Sequence, residues 1–114
     1  MDEHVVRAKG RWIRMAPRKV RVVANAIRGR RVDEATAMLG FIPRRAVRPV
    51  RKVLLSALDA AKRRGGFDVD ELYVKEIFVD KGPVLRRGLS RARGMVTRIN
   101  KFTSHVTVVL GEKE

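Results

Sequence analysis

Between Lys81 and Lys101 the chain carries seven basic residues and no acidic one: Lys81, Arg86, Arg87, Arg91, Arg93, Arg98 and Lys101. Gly82-Pro83, Gly88 and Gly94 punctuate the stretch, and strand-like segments flank it on both sides. A run of like charge repels itself and takes a compact form only beside a polyanion. A connection this long in a small domain is either functional or disordered. The chain therefore has to build its core from the remaining residues and leave this segment outside it, as an arm. The arm points to nucleic acid as the partner.

Charge supports that partner. Over 114 residues the net charge is +15, from 27 basic and 12 acidic residues, which predicts salt-sensitive binding to phosphate polymers. Arg outnumbers Lys by 19 to 8. Guanidinium groups fork onto phosphate and stack on bases, which favours structured nucleic acid; genomic bias toward Arg codons explains the excess equally well. The length fits one domain with one modest core, residues 1–114, with 81–101 as its arm. There is no cysteine, so disulfides and thiolate metal sites are excluded, and a reducing compartment suits the chain. No apolar run reaches membrane-span length, and Met1-Asp2-Glu3-His4 lacks the apolar core of a signal peptide. The expectation is a soluble cytoplasmic protein with no membrane partner and no homo-oligomer.

The charge is uneven. Residues 1–32 hold ten basic and two acidic residues, and residues 65–80 reverse the sign, with Asp68, Asp70, Glu71, Glu76 and Asp80 against Lys75. One face is thus expected to meet the polyanion and another to meet solvent or basic neighbours.

The periodicities give an α+β body. Val6, Ala8, Gly10 and Trp12 alternate with Arg7, Lys9 and Arg11 as in a half-buried strand. Pro17 opens a helix whose apolar stripe is Val20, Val23, Ala24 and Ile27, and Gly29 ends it. Asp33 reads as the N-cap of a short second helix with Ala35, Met38 and Leu39 inward, closed by Gly40 and Pro43. A third helix runs from Ala46 to Gly65-Gly66 on the face Val50, Val53, Leu54, Ala57 and Ala61. Pro49 is tolerated if the regular helix starts near Arg48; further inside it removes a hydrogen bond and kinks the helix, and both courses stay open here. Residues 72–79 and 102–110 read as strands that pair across the basic segment, the second with Val106, Val108 and Leu110 on one face and Thr103, His105 and Thr107 on the other. The result is a small antiparallel sheet packed with three helices, plus a long extended β-hairpin arm.

The candidate binding residues follow from that layout. Lys9 and Arg11 lie on the basic face of the first strand. Arg14, Arg18, Lys19 and Arg21 cluster around Pro17, where a helix N-terminus adds free N–H groups for phosphate. Lys81, Arg98 and Lys101 belong to the arm, and Arg86, Arg87, Arg91 and Arg93 lie near its tip, where Gly88 and Gly94 permit close backbone approach. His105 reads as a surface contact to phosphate or base. It has no metal-ligand partner at suitable spacing, and adjacent strand residues point apart, so Ser104 and His105 make no catalytic pair. The acidic turn at Asp68, Asp70 and Glu71 lacks the Gly and late Glu of a calcium loop. No metal, cofactor or enzymatic activity is expected. Trp12 has two readings, base stacking or core; a single Trp amid apolar alternation is more often core. A 5% aromatic fraction is too low for a broad single-strand stacking platform.

Several motifs occur in a recognisable order: Ala16-Pro17-Arg18-Lys19-Val20-Arg21 with Ile27-Arg28-Gly29, Lys52-Val53-Leu54-Leu55-Ser56-Ala57, Gly82-Pro83, Arg91-Ala92-Arg93-Gly94 and Thr103-Ser104-His105-Val106-Thr107-Val108. Over nearly its whole length the chain resembles the bacterial large-subunit ribosomal protein twenty-two family. It departs at Ser90, where a proline is common, and at Phe102, where a basic residue is common. The resemblance implies a noncatalytic structural constituent of the large ribosomal subunit, bound to its rRNA near the polypeptide exit and active in assembly. It further implies a hairpin tip lining the exit tunnel at Arg86, Arg87, Gly88, Leu89, Ser90, Arg91, Ala92, Arg93 and Gly94. The implied partners are large-subunit rRNA, neighbouring large-subunit proteins and the nascent polypeptide. The competing class is a DNA-architectural protein, which also uses basic charge and a β-arm, with Leu89 as an apolar wedge.

Overall fold

Three rows of apolar side chains cross the central sheet, and their register explains the body. The computed structural model describes residues 5–90 and 96–112, with the strand backbone alone described over 86–90 and 96–100. Its elements are β1 (Val5–Ile13), α1 (Pro17–Ile27), α2 (Val32–Phe41), α3 (Val47–Arg64), a 3-10 turn (Val69–Glu71), β2 (Leu72–Lys81), β3 (Leu85–Ser90), β4 (Val96–Lys101) and β5 (Ser104–Glu112). The sheet order is β1-β5-β2, all antiparallel, and β3-β4 form a separate two-stranded sheet. Across the large sheet the rows are Val6–Leu110–Val74, Ala8–Val108–Ile77 and Gly10–Val106–Val79. All but Ala8 and Gly10 are buried, and the helices close over this face.

Val74 and Ile77 are three residues apart, so strict alternation would place them on opposite faces. A register shift between Val74 and Glu76 inserts the extra residue that returns both to the core, with Lys75 and Glu76 exposed. β1 carries a comparable shift between Gly10 and Ile13. There the expected alternation ends. Trp12 leaves the inward row, adopts φ +61° and is 61% exposed. The reading of Trp12 as core is corrected by this bulge. The register shift gives the inward place to Ile13, which packs against the core with its Cδ1 beside Gly10, where α3 comes so close that a Cβ would overlap Val53 Cγ2.

The helices follow the sequence patterns with two adjustments. α1 begins at Pro17 and buries Val20, Val23, Ala24 and Ile27. α2 has Arg31, not Asp33, at its N-cap; Asp33 sits inside the first turn, where its carboxylate accepts from the Glu34 N–H at 2.8 Å and favours the positive end of the helix dipole. The helix also runs through Gly40 to Phe41, so the glycine falls at its next-to-last position. In α3, Pro49 is the third helical residue. Its missing N–H belongs to the set that has no intrahelical partner, so no kink is required. Gly65, at φ +74°, ends the helix in a conformation that side chains disfavour.

At the end of β2 the two sheets separate. The Gly82 N–H donates to the Thr103 carbonyl at 2.9 Å, and Thr103 Oγ1 donates to the Pro83 carbonyl at 2.5 Å. Thr103 is therefore buried, 2% exposed, and not on the polar face of a strand. Beyond this crossing β3 pairs with β4 from Leu85↔Lys101 to Ser90↔Val96. Arg91, Ala92, Arg93 and Gly94 of the expected tip lie outside the described residues, as do the side chains of Arg86, Arg87, Leu89, Ser90 and Arg98, and Gly88 is described by its strand backbone alone.

Candidate nucleic-acid interface

Two helix N-termini open onto the same surface. α1 starts after Ala16 and α3 after Ala46; neither has a side-chain cap, and neither has an acidic residue in its first turn. Both alanines line one groove of about 590 Å³, together with Arg14, Met15, Lys19, Arg44, Arg45, Lys101 and Phe102. The positive ends of two helix dipoles thus share a groove with five cationic side chains; Pro17 and Pro49 carry no N–H, and the N–H groups of Lys19, Val47 and Arg48 already donate to the Ala16, Arg44 and Arg45 carbonyls, so the side chains are the groove's donors. A second groove, lined by Lys9, Gly10, Arg11, Trp12, Ile13, Arg14, Arg45, Pro49, Lys52 and neighbours, adjoins it through Arg14, Met15 and Arg45. A third adds Arg48 and Arg51 beside Arg44 and Arg45. Among the described residues no carboxylate lines any of the three. Cations packed this way without counter-charge raise the local potential for phosphate, and their planar forks suit bidentate contact.

The sequence-predicted residues divide here. Lys9, Arg11, Arg14, Lys19 and Lys101 line the grooves. Arg18 and Lys81 are exposed outside them. Arg21 lies across the other edge of the sheet, its Nη2 donating to the Val79 carbonyl at 3.0 Å. His105 is half-buried on β5 and accepts the Trp12 backbone N–H at Nδ1, 3.2 Å away, with the two rings edge-on at 5.5 Å and 88°. Its role in the body is to hold the β1 bulge. Ser104 points the opposite way, its Oγ donating to the Met15 carbonyl at 2.6 Å. The two side chains do not meet.

Sequence reasoning missed Arg44, Arg45, Arg48, Arg51 and Lys52, which supply half of the groove cations. A signal was present: all five stand off the apolar face Ala46, Val50, Val53, Leu54 of α3, in a segment with no acid until Asp59. The acidic turn is elsewhere. Asp68 accepts from the Asp70 N–H, capping the 3-10 turn, and Arg31 Nη2 donates to the Asp70 carbonyl. Among the described residues no three His, Cys, Asp or Glu side chains gather as a metal site, and no helix is long and apolar enough to cross a membrane.

Fold and surface together define a class: a small basic α+β protein with acid-free grooves at two helix N-termini and a separate hairpin leaving the end of its sheet. Comparison with known proteins gives that class a family. A family model described as ribosomal protein L22p/L17e matches residues 8–111. The large ribosomal subunit protein uL22 of Syntrophotalea carbinolica is 48% identical over 107 residues, spanning 94% of this chain and 97% of that protein. Its counterpart in Geobacter metallireducens is 49% identical over 107 residues, with the same coverage. That of Desulfitobacterium hafniense (strain DSM 10664 / DCB-2) is 49% identical over 108 residues, spanning 95% of each. The chain belongs to this family of large-subunit ribosomal proteins.

Proposed function

We propose that the chain binds large-subunit rRNA through the groove surface and extends residues 81–101 as an arm that lines the polypeptide exit tunnel. One observation carries the first half: three adjoining grooves at two helix N-termini without side-chain caps are lined by Arg14, Lys19, Arg45, Lys52 and their basic neighbours, and among the described residues no acidic side chain lines them. Phosphate contacts position the body, and the shape of the folded RNA supplies most of the specificity. His105 supports this surface from within the body, Arg21 braces the opposite edge of the sheet at Val79, and Arg18, Lys81 and Arg98 extend the basic field around the surface and into the arm.

The second half is supported by the family and by the β3-β4 sheet, which is distinct from that of the body. In this reading residues 1–114 form one rRNA-binding domain. Its partners are rRNA, adjacent large-subunit proteins and, along the arm, the nascent polypeptide. It acts in assembly and architecture in the cytoplasmic ribosome and catalyses nothing. Co-sedimentation from native extracts tests the reading. The protein should travel with large subunits, be released by ribonuclease and be unaffected by deoxyribonuclease. Release by deoxyribonuclease alone would replace rRNA with DNA as the partner.

A further inference from the structure

We infer that Trp12 is a stacking platform for an unpaired base of the bound RNA. This rests on the rRNA-binding reading above and names a contact within it. The register shift that turns Ile13 inward explains why position 12 turns outward; it does not explain an indole there. A bulky residue at φ +61° is a backbone outlier, and such outliers concentrate where a side chain is aimed at something. The ring is also held. Its own backbone N–H is bound by His105 Nδ1 and its side chain meets the imidazole edge-on, so the platform is tied to the central strand β5.

The surroundings select the ligand. Trp12 shares its groove with Lys9, Arg11, Arg14, Arg45 and Lys52 and, among the described residues, with no carboxylate. A protein partner inserting an apolar side chain would have to bury those cations, whereas a nucleotide brings phosphates for them on either side of its base. Every base has a π-face, and unpaired bases in folded RNA are the ones free to stack on an aromatic ring. A fully paired duplex offers the grooves its phosphates and offers the indole nothing.

Trp12 is the chain's single tryptophan, so its fluorescence reports this contact alone. The test uses the full chain, titrated with protein-free large-subunit rRNA, with a short oligoadenylate and with a perfectly paired RNA duplex of the same length. Binding is followed separately by electrophoretic shift. The expected result is quenching of Trp12 emission by rRNA and oligoadenylate and little quenching by bound duplex. Trp12→Ala should weaken rRNA binding about tenfold and Trp12→Phe by much less, as stacking predicts. If rRNA binds with no change in Trp12 emission, or the duplex quenches equally, the stacking assignment is overturned while the binding function stands. If rRNA does not bind the unmodified chain, the function reading fails and this inference fails with it.

Discussion

The sheet has two edges, and the protein treats them oppositely. Along β2 the edge is closed by α1 and the residues after it. The Gly29 N–H donates to the Val74 carbonyl at 2.9 Å, the Val74 N–H donates to the Arg30 carbonyl at 2.8 Å, and Arg28 and Arg21 donate to the Ile77 and Val79 carbonyls at 2.8 and 3.0 Å. Along β1 a side-chain strap runs from Arg64 Nη1 to the Val5 carbonyl at 2.9 Å. The rest of that edge presents Arg7, Lys9 and Arg11 to solvent and ends in the Trp12 bulge. Arginines on the first edge satisfy backbone carbonyls; those near the second line grooves that, among the described residues, no carboxylate lines. Basic composition is therefore not one property. The same residue type closes an edge strand, which would otherwise be a template for association, or keeps its donors available for phosphate.

Breaking the open edge should have the largest effect on binding. Replacing Arg14, Arg45 and Lys52 together by Ala is expected to lower affinity for protein-free large-subunit rRNA on the order of a hundredfold near physiological salt. The log–log salt slope should fall by about three units, one for each phosphate no longer neutralised. The melting temperature should barely move, since all three side chains are exposed. An unchanged slope would remove these residues from the interface.

Gly10→Ala attacks the junction between that edge and the core. The added methyl would overlap Val53 Cγ2, and relieving the overlap means separating β1 from α3, at about 1–3 kcal/mol. Chemical denaturation should show the loss, and stability equal to that of the unmodified chain would mean the strand and helix part at no cost. The closed edge gives a smaller effect of a different kind. Arg28→Ala removes the donor to Ile77 and the hydrogen bond to Asn25 Oδ1 at 2.6 Å. It should destabilise by about 1 kcal/mol while leaving the salt slope of rRNA binding intact; a slope one unit lower would mean that Arg28 also binds phosphate. Smallest is Arg64→Ala, which removes the strap to Val5 and the cation–π interaction at 5.6 Å from the Phe67 ring centre. The side chain is exposed, so roughly 0.5 kcal/mol is expected in thermal unfolding. A destabilisation as large as that of Arg28→Ala would mean the two edges are held alike.

Most of the body is legible in the sequence. Val20, Val23, Ala24 and Ile27 mark α1, Val50, Val53, Leu54 and Ala57 mark α3, and Val106, Val108 and Leu110 mark β5, because helix and strand periods are local and a buried stripe must repeat with them. The excess of positive charge is legible for the same reason: it is a sum over residues and needs no geometry. The α2 boundary is not, since Asp33 favours either the cap or the first turn and only the chain's course from Arg31 decides between them.

Tertiary structure decided which charges act together and where single residues point. Arg14, Lys52 and Lys101 come from three separate segments and share an acid-free surface only because α1 and α3 begin side by side. Trp12 faces outward because the shift after Gly10 gives the inward place to Ile13, and His105, distant in sequence, receives the Trp12 N–H. Local patterning specifies which elements form, through hydrophobic burial summed over neighbouring residues. The orientation of one side chain at a bulge, or the sharing of a groove by distant cations, depends on packing between elements, which no period in the sequence encodes.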